Sequence, residues 1–286
     1  MTTLIDGLSR VAGGYDVLLS DVWGVIHNGR EAFPAACAAL ARWRAERGPV
    51  VLISNSPRPS PGVVEQLDEL KATREAWTSI VTSGDASRVL LAARAPGPAW
   101  RIGPQRDDPL FAGLGLTFSG LDDARFIACT GPDDDEVEAP EDYRGRLSAA
   151  AARGLEMVCA NPDRVVQRGD RLIYCGGALA ELYETLGGAV VMAGKPFAPI
   201  YDLAIEAAGQ ALGRTPDRRR ILVVGDGVLT DIGGAQTQNL DRLFIATGIH
   251  GAESTGADGR LSPAAVDGLL SAAGLSAQFA MGDLVW

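Results

Sequence analysis

Tyr15 to Val25 reads YDVLLSDVWGV: an apolar run ends at Ser20-Asp21, and Gly24 follows three residues later. Tyr15 to Ser20 is apolar at successive as well as alternate positions, as a strand buried on both faces should be, and a sheet of such strands needs helices on both sides. Working outward, Pro34 to Glu46 has the period of a helix and Val50 to Ile53 is a second apolar run. Strand, helix and strand in that order make a βαβ unit, which points to an α/β fold on a parallel sheet.

The alternation continues with a helix over Pro61 to Lys71, a strand over Ser79 to Thr82 and a helix over Ala86 to Ala93, stopping at the breaker Pro96-Gly97-Pro98. Shorter elements follow: strands at Trp100 to Ile102, Arg125 to Thr130 and Leu155 to Ala160, with helices at Pro109 to Leu114 and Glu141 to Arg153. From Ala189 the long apolar runs resume. Strands are expected at Val190 to Ala193, Ile221 to Val224 and Leu243 to Ala246, and helices at Pro199 to Leu212, Thr230 to Gln238 and Pro263 to Ala273. The economical reading is a core of residues 1–84 and 191–286, interrupted by a smaller α/β domain of residues 85–190; a tandem arrangement fits the periodicity as well. The acidic run Asp133-Asp134-Asp135-Glu136 reads as a solvated loop, with a metal role as the second choice.

Composition narrows the functions. With 47% hydrophobic and 22% charged residues the chain can bury a substantial core. A formal charge of -10 and a pI near 4.8 argue against nucleic acid and anionic membrane surfaces as partners. A small anionic substrate stays open if a metal ion and a few local cations offset its charge. Cys37, Cys129, Cys159 and Cys175 are scattered without zinc spacing, which leaves buried thiols. No apolar run approaches the ~20 residues of a membrane span and the N-terminus has no signal-peptide pattern, so a reducing cytoplasm is the expected location.

In an open parallel sheet, ligands sit beyond the carboxyl ends of the strands. Four polar sites fall there: Asp21; Ser54 in Leu-Ile-Ser-Asn-Ser; Lys195 in Ala-Gly-Lys-Pro; and Gly-Asp-Gly-Val-Leu-Thr-Asp with Asp226 and Asp231. A helix cap or a turn accounts for any one of them taken alone. As an ordered set they offer hard oxygen ligands for magnesium, a hydroxyl and amides for phosphate oxygens, and one lysine. That combination suits phosphoryl transfer.

In this motif order, Asp21 to Gly24, Ser54 to Asn55, Lys195 to Pro196 and Gly225 to Asp231, the sequence resembles the haloacid dehalogenase superfamily over nearly its whole length. Asn161-Pro162-Asp163 and Cys175-Gly176-Gly177-Ala178 resemble the inserted cap of its class IIA branch. The resemblance implies a Rossmann-like core with a C2-type cap and a Mg2+-dependent phosphatase of a small phosphorylated metabolite. Asp21 would be the nucleophile forming an aspartyl-phosphate, with Ser54, Asn55 and Lys195 holding the phosphoryl group. Asp21, the Trp23 carbonyl and Asp226 would ligate magnesium, with Asp231 acting through water or from behind. Pro196 would suit the first turn of the next helix. Asp163 would read a substrate hydroxyl or amine, or else only shape a turn. Gly176 and Gly177 would allow the leaving group close to the backbone, or else only lead into a helix. Homodimer formation through the cap is likewise a family expectation.

One departure stands out. Phosphatases of the superfamily carry a second aspartate two residues after the nucleophile as acid and base, and here that residue is Trp23. Three readings follow. His27 supplies the proton, or else it only packs in a flap loop and the substrate has a good leaving group. Alternatively Asp21 attacks carbon, as in dehalogenases, which also place an aromatic residue there and dispense with metal; Asp226 and Asp231 argue against this through charge repulsion. Third, the chain is a non-catalytic sensor of phosphate ligands. Arg164 and Arg168 read as surface charges or anion contacts, and His250 as structural.

Overall fold

The computed structural model describes residues 1–168, 171–256 and 259–286. In chain order its strands are β1 (Thr3–Leu4), β2 (Val17–Asp21), β3 (Val50–Ser54), β4 (Ser79–Thr82), β5 (Ala99–Ile102), β6 (Phe126–Cys129), β7 (Glu156–Cys159), β8 (Val165–Arg168), β9 (Arg171–Tyr174), β10 (Ala189–Met192), β11 (Ile221–Gly225), β12 (Asp241–Ile245) and β13 (Phe279–Met281). They build a seven-stranded sheet in the order β1-β13-β12-β11-β2-β3-β4, a four-stranded sheet in the order β10-β7-β6-β5, and the hairpin β8-β9. Pairing is parallel for β11 with β2, β2 with β3 and throughout the four-stranded sheet, and antiparallel in the hairpin. The fold is α/β.

The chain divides into two compact units, residues 1–54, 64–81 and 201–286, and residues 55–63 and 82–200. In the first unit β2, β3 and β11 are buried along their whole length, as the apolar runs require of central strands covered on both faces. Helix Pro34–Glu46 starts at a proline, which loses nothing at a position whose N–H has no helical acceptor, and buries Ala36, Cys37, Leu40 and Trp43. Register sets Asp21 beside Ile53 and Ser20 beside Val224. Hence β2, β3 and β11 end side by side, and the polar residues that close them lie at one level.

The second unit shows the period of two that a sheet covered on both faces produces. Trp100, Ile102, Ile127, Cys129, Met157 and Cys159 share one apolar cluster with Leu147, Leu179 and Tyr183. Their alternates Ala99, Phe126, Ala128 and Val158 share another with Leu91, Leu110 and Phe111.

Several expectations need correction. The contacts group the chain differently from the expected divisions at 84/85 and 190/191, with residues 55–63 joined to 82–200. Ser60 N–H donates to Asp85 Oδ1 at 3.2 Å and Asn55 Nδ2 to Asp163 Oδ1 at 2.8 Å, and both bonds reach into the segment 85–190. The helix expected over Pro109 to Leu114 is a 3-10 helix, Gln105–Phe111, with Pro109 inside it and no N–H there to offer. Pro196 lies in the turn ahead of helix Ala198–Leu212 rather than in its first turn. The acidic run is a loop exposed at Asp133, Asp134 and Glu136, within which Asp135 is paired with Arg106 and with Arg168, and Glu136 with Arg168 and Arg171. Burial pushes the Asp135 carboxyl up, but the two guanidiniums outweigh it and hold it below the usual carboxylate range. Arg164 is paired with Glu181. Among the described residues, no helix is long and apolar enough to cross a membrane.

Candidate active site

At the strand ends of the first unit, Asp21 closes β2, Asp226 follows β11, and Asp231 sits in the π-helical segment Val228–Ile232 just beyond. All three are buried, and one carboxylate oxygen from each lies within 4.8 Å of the others. Three anionic groups this close in a buried setting repel one another, and hard oxygen donors converging on a point are what a divalent cation requires. The donor set therefore fits magnesium on its own chemistry.

Backbone shape makes the cluster possible. Asp226 Oδ2 accepts the Ile249 N–H at 3.0 Å, and Asp231 Oδ2 accepts the Gly227 N–H at 3.0 Å. Glycines wall in both side chains: a Cβ on Gly24 would lie 2.2 Å from Asp226 Oδ2, and one on Gly248 2.0 Å from it. A Cβ on Gly225 would lie 2.2 Å from Asp231 Cγ. Gly24 also has φ +87, which a side chain would strain. The sequence reading placed Gly24 and Gly225 inside motifs but missed Gly248, whose only signal is a glycine just past the strand β12. Ser54 closes β3, next to the strand of Asp21, and is 8% exposed.

The segment after Asp21 folds back as a flap. Gly24 N–H donates to the His27 carbonyl at 2.8 Å, and Phe33 N–H to the Ile26 carbonyl at 2.7 Å. The rings of Trp23 and His27 pack edge to face, their centroids 4.9 Å apart, and a Cβ on Gly29 would strike the Trp23 ring. His27 is buried, and its Nδ1 accepts the Gly29 N–H at 2.9 Å. That bond leaves the single proton of a neutral imidazole on Nε2. An imidazolium would need a second proton on Nδ1, facing the N–H already there. His27 is thus both packed and hydrogen-bonded within the flap.

A second group of the expected residues meets within the second unit. Asn55 Oδ1 accepts the Lys195 N–H at 2.7 Å, while Asn55 Nδ2 donates to the Lys195 carbonyl at 3.0 Å and to Asp163 Oδ1 at 2.8 Å. Gly176 and Gly177 open helix Gly176–Thr185. A Cβ on Gly177 would lie 2.1 Å from the Pro162 carbonyl oxygen, and one on Gly176 2.9 Å from that of Asn161. Their bare backbones accommodate the Asn161–Asp163 turn of the same unit. His250 Nδ1 lies 2.6 Å from Glu253 Oε2, within its own loop.

Comparison with known proteins places these features in a family. The family model described as haloacid dehalogenase-like hydrolase matches residues 18–117, and a second, described as HAD-hydrolase-like, matches residues 192–272. A crystal structure of a haloacid dehalogenase-like hydrolase from Brucella suis is 42% identical, covering 99% of this chain and 100% of that one, with a TM-score of 0.89. The D-glycerol 3-phosphate phosphatase of Mycobacterium tuberculosis is 28% identical over 86% of this chain and 67% of its own. A crystal structure of glycerol phosphate phosphatase from the same organism, in complex with magnesium, is 26% identical with a TM-score of 0.62, covering 84% of this chain and 70% of that one.

Proposed function

The chain belongs to the haloacid dehalogenase-like hydrolases, and on that premise we propose that it is a magnesium-dependent phosphatase of a small phosphorylated metabolite. The observation that carries the reading is the meeting of Asp21, Asp226 and Asp231 at the strand ends. The magnesium complex of the mycobacterial phosphatase supports it.

Asp21 and Asp226 would hold the ion directly, with the Trp23 carbonyl as a further ligand and Asp231 completing the charge from behind. When bound, magnesium supplies positive charge against the phosphoryl oxygens and the three carboxylates. An Asp21 oxygen attacks phosphorus, the bond to the leaving oxygen breaks, and its electron pair departs with that oxygen. The Ser54 hydroxyl and the backbone N–H of Asn55 would donate to the transferred group, and the Lys195 ammonium would offset its remaining charge. Water then attacks the aspartyl-phosphate at phosphorus, releasing inorganic phosphate and restoring the carboxylate.

The Trp23 indole exchanges no proton at neutral pH, and the His27 Nδ1 is engaged by the Gly29 N–H. General acid–base help is worth about 10²–10⁴ in rate. Substrates whose leaving oxygen departs readily as an anion, such as aryl and acyl phosphates, should therefore outrun simple alkyl phosphates. Attack on carbon without metal fits the geometry poorly, since three crowded carboxylates without a cation would repel one another.

A panel of p-nitrophenyl phosphate, sugar phosphates, pyridoxal phosphate and 2-chloropropionate, each with magnesium and with EDTA, tests the proposal. Phosphate release confined to the magnesium arm is expected. Chloride release in EDTA would instead establish the dehalogenase reading. Ligand-induced thermal stabilisation without turnover of any compound would make the chain a sensor.

A further inference from the structure

We infer that Asp163 is a positioning residue for the phosphoryl-binding loops and does not read the leaving group; the inference rests on the phosphatase reading above. Asn55 is buried, with three strong hydrogen bonds that together leave its amide one orientation. Turning the amide over would set its NH2 against the Lys195 N–H, and its oxygen against both the Lys195 carbonyl and the Asp163 carboxylate. Two of the three penalties involve Lys195, and the third comes from the charge of Asp163. A hydrogen bond to an ionised acceptor is roughly twice as strong as a neutral one, so Asp163 supplies the strongest single contact fixing that orientation.

The turn bearing Asp163 is itself held in place. Asp163 N–H donates to Asn161 Oδ1 at 3.2 Å, and its carbonyl accepts the Gly177 N–H at 2.9 Å. The contacts at Gly176 and Gly177 leave no room for the turn to settle toward the helix. On the other side, a Cβ on Gly194 would lie 2.7 Å from Asn55 Oδ1 and 2.4 Å from Ser83 Oγ, so the backbone entering Lys195 can approach Asn55 only as glycine. Residues 108 and 140 positions from Asn55 in the chain are thereby locked onto one amide. Since Asn55 and Lys195 would both hold the transferred phosphoryl group, a shift in either is felt by every substrate alike. A displacement near 1 Å is enough to cost about a hundredfold in rate.

The test is a comparison of Asp163→Ala and Asp163→Asn with the wild type. Values of kcat/KM are measured on p-nitrophenyl phosphate, glycerol 3-phosphate and a hexose phosphate. Asp163→Ala should lower kcat/KM by one common factor, between about tenfold and a hundredfold, and Asp163→Asn, which keeps an acceptor oxygen, should recover part of it. Calorimetric binding of inorganic phosphate with magnesium reads the same clamp without turnover and should weaken about tenfold in the alanine variant. In an Asn55→Ala background, Asp163→Ala should have no further effect. A loss confined to one leaving group would show that Asp163 reads the substrate and would overturn the inference, as would unchanged phosphate binding or full additivity with Asn55→Ala. A wild type that hydrolyses none of the three esters would count against the phosphatase reading, while phosphate binding would still decide the role of Asp163.

Discussion

The two groups of expected residues, one in each unit, solve opposite problems. Asp21, Asp226 and Asp231 bring three like charges within 4.8 Å in a buried place, braced by backbone N–H groups and glycine walls. Asn55, Asp163 and Lys195 instead match donor to acceptor, so that the amide is satisfied from within the protein. The first arrangement stores repulsion that a cation relieves, and the second spends its polar groups on each other. On the proposed reading, chemistry belongs to the electrostatically unfavourable group and aim to the satisfied one.

The largest effect should come from the proposed nucleophile. Asp21→Asn should lower turnover of p-nitrophenyl phosphate by about 10⁴-fold or more, as loss of the attacking group does elsewhere. If crowding is the dominant feature of the triad, the same change in EDTA should raise the unfolding temperature by roughly 2 °C, worth about 1 kcal/mol. Wild-type rates in this variant would break the contrast at its centre. A lower melting temperature in EDTA would show that Asp21 is held by more than it is repelled.

Trp23→Asp sharpens the contrast from a different direction. If the missing acid is what limits alkyl esters, the substitution should raise kcat/KM on glycerol 3-phosphate about 10²-fold. The rate on p-nitrophenyl phosphate should change little, because nitrophenolate leaves without a proton. Equal changes on both esters would mean that Trp23 acts by packing on His27 and Gly29. His27→Gln should leave the ratio of the two rates as it is.

The parts of the molecule legible in the sequence are those whose determinants are local. Val17–Asp21, Val50–Ser54 and Ile221–Gly225 announce themselves because a strand buried on both faces must be apolar throughout. Thr3–Leu4 and Phe279–Met281 are too short to carry a pattern, and the paired strands Val165–Arg168 and Arg171–Tyr174 carry arginine at their facing ends. Helix Gly176–Thr185 hides behind two glycines whose reason is the Asn161–Asp163 turn. In the site, the carboxylates could be named from their strand ends, but the bond from Asn55 to Asp163 spans 108 positions and depends on side-chain direction. The same limit applies to Asp135, whose partners Arg106 and Arg168 lie 29 and 33 positions away. Charge content shows a solvated run there, and only the tertiary structure shows that it is neutralised.

The smallest effect comes from a carboxylate of the first unit that resembles the satisfied group. Asp16 accepts from Arg220 at 2.7 Å and from Arg214 at 2.8 Å. The Arg220 guanidinium, with Arg214 adding to it against burial, holds its carboxyl down to about 2. A carboxylate depressed in the folded state stabilises it fully above the unfolded value near 4 and loses that contribution as pH falls through about 2. Because the side chains of Arg214 and Arg220 are 53% and 41% exposed, solvent screens the pairs and the contribution at neutral pH should be about 1 kcal/mol. Asp16→Asn should therefore lower the unfolding temperature at pH 7, the opposite sign to Asp21→Asn in EDTA. The gap from wild type should shrink between pH 4 and pH 2. A gap that persists undiminished at pH 2 would mean that Asp16 acts through shape and hydrogen bonding alone, and the sign difference between the two aspartates would then no longer measure charge.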